Sequence, residues 1–503
     1  MLPSDPEPLL AARLIERAAD AALIFIARSE ARAARLHRAA AALAPRDLRV
    51  AFLPGWDCLP YDRVSPSAAI MGARMEVAAG ETPRLLILSV EAATQRLPRA
   101  AAGLALAVGD GMDVDATTRR LAALGYRLDE VVDEPGEAAA RGATLDIFPA
   151  SGTDHGWRLR LEEGRIAGVE PYDPATQRST GEAVERVVIP PATELVLPDD
   201  HPLLANRPRG LVHWLPAFNE PLITPFDLLP GAAFVLDDGA GEARRTRAAD
   251  VAEAFRLRLA SLTPREDLPP LPPPEALYLD DAAWDVAVAG RATLHVQASD
   301  DSARIPRFAR ERDPEGAFLR HARVLLSTGT RVAIAGGIGH GARRLASRLT
   351  TRVTAPFPAM AGEGRGGGQL AIPVVSSWPD LQSLPPGAVA LLRDAPDSAG
   401  FATPEAAVIP LVAVRPGAVP SPGQPPVITL APAAMQPGDA VIHLDQGLGA
   451  LRGVEPVSTG DATADCLRID YAEGDSLLVP FDDLPKLWRY GATAENVSLD
   501  RLD

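Results

Sequence analysis

Apolar and polar positions near the start of the chain follow two alternating periods. Residues 9–44 read as a helix, a short apolar strand at Ala22–Ala27 and a second helix, SEARAARLHRAAAAL. The strand RVAFL, the loop PGWDCLPYDRVSP, a further helix and the strand RLLILSV follow. Strands alternating with helices predict a parallel α/β layer, because parallel neighbours need a crossover that carries the chain back.

The period changes near residue 107. DATTRRLAALGY predicts a helix ended by Gly125, and three short strands come after it: ATLDIF, WRLRLE and RIAGVEPYD. The connections PASGTDHG and EEGR suit hairpins, so residues 107–196 predict an antiparallel meander with a helix, an α+β module. Residues 197–315 return to α/β, with the strand AAFVLD leading into a helix from Glu242 to Leu259. LPPLPPPEALYL follows as a stiff crossing segment, with a polyproline II ligand as the alternative. Residues 316–432 predict a small α/β domain. It holds the helix AFLRHARVLL, the strand RVAIA, the helix GARRLASRLT, a flexible excursion GEGRGGGQ and a Pro/Gly linker, VRPGAVPSPGQPP. Residues 436–503 are short-stranded (AVIHL, ALRGVEPV, DCLRIDYA, SLLVPF), with tight turns at Gly447–Gly449 and Glu473-Gly474-Asp475. They predict a small twisted β-barrel closed by a helix, DDLPKLWRY. With residues 1–106 as the first α/β domain, the fold class is multidomain α/β and α+β.

At 503 residues the chain exceeds one core, which agrees with several domains. Its formal charge of −16 argues against a general affinity for nucleic acid, but leaves room for a local basic patch. Cys58 and Cys466 are the only cysteines and suit a reducing compartment without a disulfide frame or zinc site. The acidic opening MLPSDPEPLL does not read as a signal peptide, and no stretch is long enough to span a membrane. A soluble, cytoplasmic protein is expected.

Lys486 is the only lysine, and it follows Pro485 rather than a glycine loop, so Walker-type nucleotide hydrolysis is excluded. GGIGHGA fits a dinucleotide turn through Gly337, Gly339 and Ala342, but the acidic residue expected after the next strand is missing; a tight strand-to-helix turn is the plainer reading. The histidines show no metal spacing. His213, beside Trp214, reads as packed, and Asp199-Asp200 as solvated surface. Trp56 and Tyr61 either stack on a base or pin their loop to the sheet.

The arginines of the meander are the best candidates for a site. By the period of two, Trp157, Leu159 and Leu161 face one way and Arg158, Arg160 and Glu162 the other. Arg141, placed at the start of the neighbouring strand, joins that exposed face. Arginine forks suit carboxylates in a protein interface, and the plain alternative is a solvated face paired with local acids.

Three stretches, in order, carry a family resemblance. They are LPGWDCLPYDRVSP with Arg74 downstream; GYRLDEVVDEPGEAAARGATLDIFP with WRLRLEEGRIAGVEPYDPATQRS; and GDAVIHLDQGLGALRGVE with LRIDYAEGDSLLVP. HWLPAF and GFATPEAAVI also fit. The chain resembles the N-terminal, non-motor half of the bacterial transcription-repair coupling factors, the Mfd family. That resemblance implies that residues 1–106, 107–196 and 197–315 form a module like the damage-recognition protein UvrB without its ATP site. It implies that the meander binds UvrA through Arg141 and Arg158, with Arg160 alongside. A family aromatic falls on Glu162, a departure. Residues 436–503 resemble the CarD/Tudor-like barrel that binds the RNA polymerase β subunit, with Val454, Val457 and Leu467 on the strands involved. Gln446-Gly447 stands where the family has His-Gly. The family's motor, through which DNA would be contacted, is expected to lie beyond this sequence. The chain is expected to be a monomeric adaptor with no cofactor and no ATPase or translocase activity of its own. The alternatives are a transcriptional regulator acting through the barrel alone and a nucleotide-dependent enzyme using the Gly337 turn.

Overall fold

The computed structural model describes residues 2–4, 7–99, 101–204, 207–219, 221–262, 265, 267–298, 305–306, 308–350, 372–395, 400–414, 438–443, 446–459, 462–480 and 487–493. The excursion 362–369, the linker beyond Val414 and Lys486 lie outside them. The chain divides into two units, residues 1–61 with 66–425, and residues 62–65 with 426–503.

In the first unit, six strands make one parallel sheet. Their order is Leu2–Ser4, Thr293–Ala298, Ala233–Leu236, Leu23–Ala27, Leu85–Ser89 and Val50–Leu53. Residues 1–106 and 197–315 therefore share a sheet, and the meander is inserted between them. Leu23–Ala27 and Leu85–Ser89 are buried at every position, as continuous apolar strands covered on both faces must be.

The inserted sheet runs Arg178–Ser179, Arg165–Asp173, Gly156–Glu162, Thr144–Phe148, Glu137–Arg141 and Arg127–Leu128. Only the last pair is parallel. Leu145, Ile147, Leu159 and Val169 pack with Leu121 and Leu124 from the helix Val114–Ala123 and its end. A two-stranded ladder, Leu104–Ala107 against Arg186–Ile189, joins the two ends of the insertion. One expectation is corrected here. Arg141 does not begin a strand; it ends Glu137–Arg141, a strand whose alanine-rich sequence carries little β signal.

A third sheet, in the order Val374–Val375, Val389–Leu392, Arg331–Ala335, Ala406–Pro410 and Phe401–Ala402, is parallel except for the last pair. One face of it shares a core with the first sheet. Helices Glu7–Asp20 and Glu30–Leu43 contribute Leu10, Leu14 and Leu36 to a cluster that also holds Ala333, Trp378, Leu392 and Val408. Trp378 and Gln382 both donate to the Glu16 carboxylate at 2.7 Å.

The second unit contains five antiparallel strands, in the order Ser476–Pro480, Ala462–Asp470, Gly447–Thr459, Asp439–His443 and Leu487–Thr493. Among the described residues the first and last strands do not pair, so the sheet is open where a closed barrel was expected. The helix expected at DDLPKLWRY is also corrected: Leu487–Thr493 is a strand. A short apolar run is ambiguous between helix and strand, and here the backbone of Asp439–His443 offers it hydrogen bonds. Among the described residues no helix is long and apolar enough to cross a membrane.

Candidate functional site

The meander has a second face, opposite the helix. Strand register sets three rows across it. The first row holds Glu137, Phe148, Gly156 and Tyr172; the second Ala139, Asp146, Arg158 and Glu170; the third Arg141, Thr144, Arg160 and Gly168. Glycine at two of these positions makes room for a neighbour. A Cβ on Gly156 would lie 2.3 Å from the Tyr172 ring, and one on Gly168 would lie 2.9 Å from the Arg160 guanidinium.

The first row is covered, and its one carboxylate, Glu137, is buried and accepts from Arg127 and from the Asp133 and Glu134 N–H groups. Val132, Ala139, Phe148 and Tyr172 form a small core of their own. Gln177 donates to the Val132 carbonyl at 2.8 Å and holds the loop before Glu137 over this end. Burial raises the pKa of the Tyr172 hydroxyl.

The second row is an ion pair. Arg158 grips Asp146 with a fork, Nε to Oδ1 and Nη2 to Oδ2, both 2.8 Å. Its Nη1 donates to the Gln177 carbonyl at 3.2 Å, and the guanidinium lies 4.7 Å from the centre of the Tyr172 ring. Three of its five N–H groups have partners, so Arg158 is a fixed group with limited outward reach. Asp146 is only 2% exposed and is the carboxylate on which this end of the face depends. Its hydrogen bond is the largest cause raising the Arg158 pKa.

The third row is open. The Arg141 side chain is 48% exposed, with one weak contact to Asp146 at 3.5 Å. The Arg160 side chain is 52% exposed and pairs with Glu170 at 2.9 Å. Glu162 is exposed at the strand end, opposite Arg165. The structure thus brings Arg141, Arg158 and Arg160 onto one face and gives them different freedom. Asp146, Glu170 and Tyr172 were not singled out in the sequence. The signal was present for Asp146: a lone carboxylate in the apolar strand TLDIF, opposite an arginine row.

The other candidates resolve into packing. Tyr61 is 2% exposed and donates to the Pro272 carbonyl at 3.1 Å; Trp56 donates to Glu194 at 2.7 Å. His213 is buried between their rings. Arg74 and Glu194 form a fully buried pair at 2.6 Å. The proline segment is internal: Leu271 and Leu277 are buried, and Trp214 donates to the Pro269 carbonyl at 2.9 Å. The GGIGHGA turn leads straight into helix His340–Thr350, and the next described strand, Val374–Val375, is followed by Ser376-Ser377 rather than a carboxylate. Asp199 is paired with Arg120 at 3.0 Å. No group of three or more metal-ligating side chains is found among the described residues.

In the second unit, Val454 and Leu467 are register partners. Val454 is 53% exposed, whereas Leu467 is 8% exposed and belongs to the core with Val441, Ile469 and Val479. Val457 pairs with Ala464 along the same ladder, and Gln446 precedes it at the turn.

Residues 104–195 match the UvrB interaction domain, and residues 435–491 match the CarD-like/TRCF RID domain. The chain resembles the N-terminal half of the transcription-repair-coupling factors. It is 26% identical to the transcription-repair-coupling factor of Escherichia coli over 550 residues, covering 98% of this chain and 45% of the relative. The Haemophilus influenzae factor gives 26% over 527 residues, 93% and 43%. The Myxococcus xanthus factor gives 37% over 176 residues, 33% and 14%. The chain thus spans less than half the length of these relatives.

Proposed function

We propose that the chain is the adaptor part of a transcription-repair coupling factor, which docks on stalled RNA polymerase and recruits UvrA for excision repair. The observation that carries this reading is the presence, in one chain, of a UvrB-interaction module with an open arginine row and a CarD-like/TRCF RID module. Arg141 and Arg160 offer free N–H groups to an acidic face of UvrA, while Arg158 contributes mainly a fixed positive field. Glu162 lowers the charge of that surface and weakens the contact.

The polymerase β subunit is met by the last sheet, whose end strand Ser476–Pro480 suits β-augmentation. Val454 is its exposed apolar contact, and Leu467 supports it from the core. The adaptor works as a cytoplasmic monomer without a cofactor. ATP hydrolysis and translocation belong to the motor that the resemblance implies.

Arg141→Glu combined with Arg160→Glu is the test. Both side chains are half-exposed, so the fold should survive. UvrA pull-down is expected to fall at least tenfold while binding to polymerase core enzyme stays unchanged. Unchanged UvrA capture would remove the arginine face from the interface. Deleting residues 436–503 should abolish polymerase binding and spare UvrA, and retained polymerase binding would place that contact elsewhere.

A further inference from the structure

The charge of this chain is unevenly distributed. Residues 304–352 contain eleven arginines and three carboxylates, a net charge of +8 within a chain of −16. Two helices in this stretch, Pro314–Ser327 and His340–Thr350, lie side by side on the third sheet. The first buries Phe318, Leu319, Ala322 and Leu326, the second Ala342, Leu345, Ala346 and Leu349. Those apolar stripes fix the polar stripes. Arg320, Arg343, Arg344 and Arg348 are exposed, and Arg323 is half-buried between the helices. The opposite face of the same sheet packs into the core that also holds helices Glu7–Asp20, Glu30–Leu43 and Trp378–Ser383, so the arginines line the other side of this layer.

Little acid offsets them. Glu315 meets Arg348 at 2.8 Å and Arg344 at 4.0 Å. Asp313 is engaged at the helix start, accepting from the Gly316 N–H at 3.0 Å. Arg320 and Arg343 have no carboxylate partner among the described residues. Such a separated basic face in an acidic protein is the electrostatic footprint of a polyanion.

From this geometry we infer that the helices Pro314–Ser327 and His340–Thr350 form a binding face for the phosphate backbone of double-stranded DNA, read without regard to sequence. The duplex is favoured over a single strand because, among the described residues, the face presents no exposed Phe, Tyr or Trp to stack on: Phe308 and Phe318 are both buried. Arginine forks suit phosphate oxygens, and helix positions three or four apart give a row of donors. This departs from the expectation that DNA is contacted only through a motor. It is independent of the UvrA and polymerase readings.

Fluorescence anisotropy tests it, using the whole 503-residue chain and a labelled duplex of mixed sequence about three helical turns long. With four phosphates engaged, log affinity should fall against log salt with a slope of roughly −3 to −4, a loss of about 100-fold between 50 and 200 mM salt. Replacing Arg320, Arg343 and Arg344 by Gln should flatten that slope by roughly 3, because each lost phosphate contact removes about 0.9. Thermal melting and UvrA pull-down of this variant should match the parent. Three outcomes would each overturn the inference: no salt-dependent duplex binding by the parent chain, an unchanged slope in the folded variant, or tighter binding of a single strand of the same length.

Discussion

At the scale of single residues, partners decide what a charge can do. Arg158 and Arg160 alternate on one strand and look equivalent by periodicity. One is held by a buried carboxylate and a tyrosine ring, the other is half in solvent. Arg158→Glu would set two carboxylates against each other, one of them buried, so loss of UvrA binding in that variant would not separate contact from fold. Glu30 shows the same principle. It opens the helix after strand Leu23–Ala27, accepts from the Gly55 N–H at 3.0 Å, and has one carboxylate oxygen with no partner. Burial is the largest cause raising its pKa, and the nearby Glu91 adds to it. A raised carboxyl favours the protonated folded state, so this site's contribution is fully present below the unfolded pKa near 4.3 and is lost as pH rises through the folded value. Glu30→Gln is therefore expected to raise the melting temperature at pH 7, with the gain vanishing below about pH 4. Melting curves of both proteins across that range check it.

At the scale of elements, close approach of backbones joins the meander to the first sheet. Helix Ala68–Ala79 presents Gly72 to the turn after Thr144–Phe148, where a Cβ would lie 2.7 Å from the Ala150 Cβ and 3.1 Å from its carbonyl carbon. The neighbour is backbone, so it cannot simply rotate away. Gly72→Ala is expected to cost about 1–3 kcal/mol through overpacking, despite the better helix propensity of alanine. Urea unfolding measures it, and a stabilised variant would show that the helix and the turn separate more easily than their packing implies. A similar competition explains Leu487–Thr493, where sheet pairing prevailed over a helical reading.

At the scale of the whole molecule, the small α/β domain is not an appendage of the first. Helices Glu7–Asp20 and Glu30–Leu43 belong to one core that holds residues of both the first sheet and the third. Trp378 is 2% exposed and adds a hydrogen bond to Glu16 across that boundary. Trp378→Ala is expected to cost about 3–5 kcal/mol and to lower the unfolding of both sheets together. Calorimetry should give one shifted transition for these layers; two separated transitions, with only one shifted, would show that the core is not cooperative. The same arrangement leaves the opposite, arginine-bearing helices outermost, which is why their charge becomes a surface.

The sequence by itself determined the element types wherever a long periodic run existed: the parallel strands of the first layer, the meander and the long helix that runs Ala240–Ser261. It placed Arg158 and Arg160 on one face, because the period of two is local. It also ruled out a Walker loop by composition. Tertiary structure alone decided what depends on neighbours distant in sequence. It placed Arg141 at a strand end, made Asp146 the buried partner of Arg158, and put Leu467 in a core while leaving Val454 exposed. It also joined residues 1–106 and 197–315 into one sheet. The physical reason is that periodicity encodes which side of an element is apolar, whereas pairing and burial are set by whichever element comes to lie against it.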